Sequence, residues 1–211
     1  MKIGVIGSGA VGITLANGLQ AQGHEIVLGT HSPEKTAELS EKLVGSTVGD
    51  FKQAAAHGEV VIFSVKGRAA EQVAIDLATE LAGKTVIDTT NPIGDQLPQD
   101  GVVGYFTNFS QSLLEKLQTS VPDAKFVKAF NSVGAGDMVN PQFESKPTMF
   151  ICGNDDIAKQ TAKGLIEGLG WEVADMGKAA AARAIEPLCM LWCIPGMLSN
   201  DWHHAFKLLT K

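Results

Sequence analysis

Arginine, cysteine and long apolar segments are all scarce in this chain of 211 residues. Arg68 and Arg183 are its only arginines, the formal net charge is −6, and no basic cluster occurs, so nucleic acid is not expected as a partner. The first residue leads straight into an apolar stretch, which leaves no room for a signal peptide. Since Pro195 and Gly196 interrupt the apolar segment 187–198, no segment is expected to span a bilayer, and no membrane partner is predicted.

The three cysteines are an odd and small number, which predicts a reducing, cytoplasmic location without a disulfide framework. Cys189 and Cys193 lie four residues apart on a predicted helix. They are interpreted as small buried hydrophobic residues, and a metal or redox pair is the alternative. No His-x-x-x-His or Cys-x-x-Cys pair indicates a metal site, and no serine has the flanking glycines of a nucleophile elbow. Neither a metal centre nor a catalytic triad is predicted.

The most informative pattern lies at the N-terminus, where a short apolar strand is followed by a glycine-rich turn and a helical pattern. In this setting G-x-G-x-x-G predicts dinucleotide binding. Gly7 allows the tight turn, Gly9 lets a pyrophosphate approach the backbone, and Gly12 lets the helix lie close to the strand. The free N–H groups at the start of the helix would bind the phosphates. The turn and the first helical residues read Gly7, Ser8, Gly9, Ala10, Val11 and Gly12.

The end of the second strand indicates which dinucleotide binds. An NAD-selective site has an acidic residue about 20 positions beyond the glycines, but this strand ends in Thr30, His31 and Ser32. The hydroxyls of Thr30 and Ser32 can donate to a 2′-phosphate, and His31 and Lys35 can add positive charge. The sequence therefore favours NADP(H) over NAD(H). The alternative is that residues 32–35 only cap the next helix.

Apolar strands alternate with helical patterns along the chain, which predicts a Rossmann-type, doubly wound α/β fold with a mostly parallel sheet. Residues 1–178 are predicted to form the dinucleotide-binding domain. The predicted strands are 2–6, 25–29, 46–48, 59–65, 84–88, 125–130, 148–152 and 171–176. The predicted helices are 10–22, 33–43, 50–57, 68–82, 108–119, 155–168 and 179–193, with another near 200–209.

Residues 179–211 are predicted to form a small C-terminal helical extension that packs on this domain. Its helices have an apolar face formed by Leu188, Leu191, Trp192 and Met197. Because burying such a face against a second copy is common, a homodimer is expected.

Ligands of open α/β sheets bind beyond the carboxyl ends of the strands. Three of the predicted loops there are rich in glycine and small polar residues, and Asp88 is the only His, Asp or Glu at these strand ends. Asp88 is interpreted as an anchor of its turn, and a position in the cleft is the alternative. Loops of this composition favour hydride transfer between two flat cofactors, since the cofactors carry the chemistry and the protein orients them. The loops begin at Lys66, Thr89 and Asn131.

Three internal motifs are more specific than the glycine turn, at residues 88–92, 127–135 and 150–156. Together with residues 182–188, they resemble the F420-dependent NADP oxidoreductase family and the related cytosolic reductase domain of STEAP metalloreductases. The resemblance extends over essentially the whole chain. It implies an oxidoreductase that uses NADP(H) with a second redox cofactor, either F420 or a flavin (FMN or FAD).

The resemblance also implies where both cofactors lie. NADP(H) would lie over residues 8–11, with its 2′-phosphate near Thr30, His31 and Lys35. His31 stands where the archaeal enzymes have an arginine, and Asn131 stands where they have a histidine. The residues implied along the nicotinamide and the (deaza)flavin are Val65, Lys66, Thr89, Asn91, Pro92, Asn131, Ser132 and Val133.

Two other functions stay open from the sequence. The first is direct reduction of a small imine or carbonyl substrate by NADPH, as in pyrroline carboxylate reductases, although these have a longer C-terminal helical bundle. The second is non-enzymatic sensing of NADP(H), which the lack of an obvious proton donor favours.

Overall fold

A single eight-stranded sheet forms the centre of the protein in a computed structural model that describes residues 1–211. The strands are β1 (Lys2–Ile6), β2 (Glu25–Gly29), β3 (Thr47–Gly49), β4 (Val60–Phe63), β5 (Thr85–Asp88), β6 (Lys125–Lys128), β7 (Thr148–Gly153) and β8 (Glu172–Asp175). Their spatial order is β3-β2-β1-β4-β5-β6-β7-β8, and only the β6–β7 pair is antiparallel. The predicted Rossmann-type, mostly parallel α/β fold is therefore confirmed.

Helices cover both faces of this sheet. They are α1 (Ala10–Ala21), α2 (Thr36–Lys42), α3 (Phe51–His57), α4 (Gly67–Asp76), α5 (Ala78–Leu81), α6 (Leu113–Ser120), α7 (Asp156–Gly168), α8 (Ala182–Ile185) and α9 (Leu188–Ser199). Short 3₁₀ turns occupy Pro33–Lys35, Ala135–Asp137 and Ala179–Ala181. The core lies in two layers, because alternate side chains of each strand point to opposite faces. In β4, for example, Ile62 packs in one layer, whereas Val61 and Phe63 pack in the other.

Several predicted helices begin or break at different residues. The predicted helix 108–119 begins only at Leu113, because Ser112 caps it: its hydroxyl accepts from the N–H of Glu115, whose carboxylate in turn accepts from the N–H of Ser112. The predicted helix 68–82 is divided at Leu77 into α4 and α5. The predicted helix 179–193 is likewise a 3₁₀ turn followed by α8 and α9.

The helix predicted near 200–209 is wrong, because residues 200–211 contain no helix or strand. Asn200 ends α9 in the left-handed conformation, with φ of 56°. The chain beyond it crosses the protein in an irregular path, and Phe206 O accepts from the N–H of Thr148 at 2.9 Å. The helical pattern was misleading because Trp202 and His204 pack one after the other on Trp192.

This packing changes the apolar face on which the homodimer was predicted. Trp192 is buried within the protein by Trp202 and His204, so it is not part of an exposed face. Leu191 and Met197 do remain exposed on α9. The homodimer stays a prediction.

One segment of 21 residues, Ala179–Ser199, is long and apolar enough to cross a membrane by length and composition, since an 18-residue window within it has a mean hydropathy of 1.2. The expectation that no segment reaches this length was therefore wrong. A core helix of a soluble protein passes the same test, so the finding is weak evidence for a membrane span. In the structure the first part of the segment, residues 179–185, packs on β7, and Glu186 directly after it is buried.

Candidate functional site

The glycine turn between β1 and α1 has the geometry that its sequence predicts. Gly7 has a φ of 117°, which favours glycine, and a Cβ there would lie 2.5 Å from Ser64 O. A Cβ on Gly12 would lie 1.9 Å from Gly7 O, so only glycine lets the helix approach the strand this closely. A Cβ on Gly9, in contrast, would meet no atom within 4 Å. The backbone around Gly9 therefore borders open space.

The start of α1 borders the same open space. No side chain caps this helix, and its first turn has no acidic residue. The first N–H groups of a helix have no partner within the helix, and the helix dipole adds positive potential there. Ser8, Ala10 and Val11 follow or flank Gly9 at this point and are not fully buried. The residues present thus fit a pyrophosphate, which needs N–H donors and room to approach them.

Thr30 connects the glycine turn to the end of β2. Only 3% of this residue is exposed, and its Oγ1 accepts hydrogen bonds from Ser8 Oγ at 3.0 Å and from the N–H of Ser32 at 3.1 Å. The Thr30 hydroxyl therefore links the glycine turn to the loop after β2 and is largely shielded from solvent. His31 and Lys35 are exposed, and Ser32 is half-buried. Of the residues predicted to bind the 2′-phosphate, these three are the ones that a phosphate can reach from solvent.

A cavity of about 370 Å³ lies beside these residues. The His31 and Phe51 rings lie on its wall with centroids 6.0 Å apart, and Val73 and Leu77 of the α4 side add apolar surface. Two acids lie in the wall. Asp50 is engaged as the cap of α3, because its Oδ1 accepts from the N–H of Gln53 at 2.7 Å, and Asp76 Oδ1 accepts from Gln72 Nε2 at 2.8 Å. The cavity suits a flat heteroaromatic ring such as adenine.

Sequence reasoning missed most of this cavity. Asp50 and Phe51 follow β3 directly, so the rule that ligands bind beyond the carboxyl ends of strands would have included them. Val73 lies on the apolar face of α4 and gives no separate signal in the sequence.

The other predicted site residues lie at the ends of β4, β5 and β6, which are neighbours in the sheet. The loop after β4 lies very close to the loop after β5, since a Cβ on Gly67 would lie 1.9 Å from Asn91 O. Thr89 donates to Phe63 O through both its N–H, at 3.0 Å, and its hydroxyl, at 3.2 Å. These contacts bring together the loops that contain Val65, Lys66, Thr89, Asn91 and Pro92.

Asn91 and Asn131 bind each other across the β5 and β6 loops. Asn91 Nδ2 donates to Asn131 O at 2.7 Å, and Asn131 Nδ2 donates to Asn91 Oδ1 at 3.3 Å and to Ile185 O at 2.9 Å. The amide orientation of Asn131 is fixed, because a flip would place its Oδ1 against the Ile185 carbonyl. Asn131 Oδ1 is buried and has no hydrogen-bond partner. A buried acceptor of this kind is costly unless a ligand donates to it.

The residue before Asn131 has an unusual backbone. Phe130 is buried and has a φ of 58°, a left-handed conformation that is strained for a bulky side chain. Its N–H donates to Met149 Sδ at 3.0 Å. Beyond it, Ser132 and Val133 are buried as well. Strained backbone of this kind is often found at functional sites, where it orients the next side chain.

Next to these loops lies a buried charged group that the sequence did not predict. Lys128 is fully buried, and its Nζ lies 2.6 Å from Asp88 Oδ2 and 3.0 Å from Glu186 Oε1. Burial lowers the pKa of Lys128, but the two carboxylates outweigh this effect, so its pKa is raised above the ordinary value. Asp88 thus has the anchoring role that the sequence analysis favoured. The sequence did contain a signal for these buried charges, because Lys128 and Glu186 are each a single charged residue within an apolar stretch.

The cysteines take no part in the site. All three are free and buried, and burial raises the pKa of the Cys152 thiol to about 12. The Sγ atoms of Cys189 and Cys193 are 4.0 Å apart. No group of three or more His, Cys, Asp or Glu side chains is placed to hold a metal ion.

A glycine turn with open space above it, a ring-sized cavity beside β2 and polar loops at neighbouring strand ends define a dinucleotide-binding protein of the Rossmann type. Comparison with known proteins identifies the family. The model of the family described as NADP oxidoreductase, coenzyme F420-dependent, matches residues 2–92. The chain belongs to this family.

Three relatives show how far the likeness extends. A crystal structure from Arthrobacter sp. FB24, provisionally described as an F420-dependent NADP reductase, has 31% sequence identity, a TM-score of 0.91 and full coverage of both chains. The F420-dependent NADP reductase of Methanocaldococcus jannaschii is 28% identical over 212 residues, which cover 90% of each chain. Metalloreductase STEAP3 of Rattus norvegicus is 32% identical over 202 residues, which cover 94% of this chain and 39% of that protein. The chain thus spans about four-tenths of the length of this metalloreductase.

Proposed function

We propose that the protein catalyses hydride transfer between NADP(H) and a second flat redox cofactor, F420 or a flavin such as FMN or FAD. The observation that carries the proposal is the open space at Gly9, beside an uncapped helix start, in a member of an NADP oxidoreductase family. The names of the archaeal relatives, which include F420, favour F420 as the second cofactor. An assay with each acceptor in turn distinguishes F420 from a flavin.

Each part of the site would have its own task. The N–H groups at residues 9–11 would bind the pyrophosphate, and the cavity at Phe51 would take the adenine. Ser32, His31 and Lys35 would receive the 2′-phosphate. Asn131 Oδ1, a buried acceptor without a partner, would accept an N–H from a cofactor ring or its carboxamide.

The chemistry of the side chains agrees with this division of tasks. NADPH supplies the hydride when it is bound. The loops at the strand ends present amide, hydroxyl and apolar groups, and the carboxylates of Asp88 and Glu186 are buried in contact with Lys128. The protein would therefore act by orienting two rings and by excluding water from between them.

The test is an assay of NADPH oxidation at 340 nm with purified protein and one acceptor at a time: F420, FMN, FAD or a cyclic imine. We expect turnover that depends on F420 or on a flavin. Turnover with the imine alone would instead establish the small-substrate reductase. Tight NADPH binding without turnover on any acceptor would favour the sensor.

A further inference from the structure

The buried charges next to the site are not used by the proposed chemistry. Lys128 contacts two carboxylates, those of Asp88 and Glu186, so the group has a net negative charge. Two N–H groups at the start of α6 offset this charge, because Leu113 N donates to Glu186 Oε2 and Leu114 N to Glu186 Oε1, both at 2.9 Å. The group is thus a highly connected polar network in the core.

Stability alone is a weak reason for such a network. Apolar residues of similar volume often replace a buried ion pair without loss of stability, because removing charges from water is costly. A well-satisfied network does, however, hold its members in one arrangement.

The remaining hydrogen bonds of this network go to a residue next to the Asn91–Asn131 pair. Lys128 Nζ donates to Thr90 O at 2.8 Å, and Asp88 Oδ1 accepts from Thr90 N at 2.9 Å and Thr90 Oγ1 at 2.7 Å. Thr90 directly precedes Asn91. On the other side, Glu186 directly follows Ile185, whose carbonyl accepts from Asn131 Nδ2. The network therefore holds the backbone beside both asparagines.

We propose that Lys128 is a positioning residue for the nicotinamide ring. By holding Thr90 and Glu186 in place, it sets the orientation of the Asn91–Asn131 pair and so the position of Asn131 Oδ1, the buried acceptor without a partner. This inference rests on the proposed function, because it assumes that NADP(H) places its nicotinamide at these loops.

The test compares NADPH with 2′,5′-ADP, which has the adenine and the 2′-phosphate but no nicotinamide. The dissociation constant of 2′,5′-ADP divided by that of NADPH, both measured by calorimetry, reports the contribution of the nicotinamide half. In Lys128→Met, we expect this ratio to fall about tenfold, the effect of one misplaced hydrogen bond. The dissociation constant of 2′,5′-ADP should stay the same, and kcat of the NADPH oxidation assay should fall about tenfold.

Lys159→Met is the matched control. Lys159 is also buried, and its Nζ lies 2.8 Å from Asp175 Oδ2 and 3.2 Å from Asp156 Oδ1. Its hydrogen bonds go to Asp175 and Gly177, and none reaches the loops that contain Asn91 and Asn131. This variant loses a comparable buried lysine and should keep the wild-type ratio. If Lys128→Met does not fold, Glu186→Gln removes one charge at nearly constant volume and should also lower the ratio.

The outcomes separate this inference from the proposed function. A wild-type protein that binds neither NADPH nor 2′,5′-ADP would overturn the proposed function. If the wild-type protein binds both, the inference alone fails in any of three cases: the wild-type ratio is near one, the variants keep the wild-type ratio, or Lys159→Met lowers it equally.

Discussion

Gly9→Val should lower the affinity for NADPH at least about 100-fold while the thermal unfolding temperature stays within about 2 °C of the wild type. Gly9 has φ of −77° and ψ of −179°, an extended conformation that any residue adopts, and a Cβ there meets no protein atom within 4 Å. The fold therefore accepts valine. The side chain would instead occupy the space through which a pyrophosphate must approach the N–H groups of α1.

Gly12→Ala is the contrasting variant. Its Cβ would lie 1.9 Å from Gly7 O, a backbone atom, so the strand and the helix must move apart. We expect a loss of about 3 kcal/mol in the free energy of unfolding, as for an overpacked core. Calorimetric titration and thermal unfolding of both variants distinguish the two effects. Wild-type NADPH affinity in a folded Gly9→Val protein would contradict the placement of the pyrophosphate.

The double variant His31→Ala and Lys35→Ala should lower the preference for NADPH over NADH about 30-fold. Each side chain is exposed at the end of β2, and each is expected to contribute about 1 kcal/mol to binding a 2′-phosphate. The measured quantity is the ratio of the dissociation constants of NADH and NADPH. His31 also lies on the wall of the cavity beside Phe51, but a loss of adenine contacts weakens both cofactors and cancels in this ratio.

Lys52→Ala is the matched control for that double variant. Lys52 is an exposed lysine on the wall of the same cavity, and its Nζ lies 3.3 Å from Glu80 Oε1. It has no part in the proposed phosphate site, so its removal should leave the ratio unchanged. Equal losses of NADH and NADPH affinity in the double variant would show that the phosphate lies elsewhere.

The strands and the glycine turn could be predicted from the sequence, because local patterns of residues determine them. The buried stretch at Val60–Phe63 is apolar without interruption, as expected for a strand covered on both faces. Gly7 and Gly12 are required by a positive φ and by a close backbone approach, and both requirements depend on residues near in the sequence or on the neighbouring strand. Such local constraints appear directly in the amino-acid pattern.

The rest depends on contacts between distant residues. Lys128 and Glu186 are 58 positions apart, and nothing near either residue indicates that they meet. The C-terminal segment was predicted as a helix because its own pattern allows one, but Trp202 and His204 gain more by packing on Trp192. The cavity at Phe51 is likewise formed by residues from three separate elements. Tertiary packing decided each of these features.

A crystal structure with bound NADP⁺ tests the central claim most directly. We expect the pyrophosphate oxygens within hydrogen-bond distance of the N–H groups at residues 9–11, and the 2′-phosphate beside Ser32, His31 and Lys35. Crystals saturated with NADP⁺ in which this glycine turn binds no phosphate, or in which the cofactor lies elsewhere, would contradict the account.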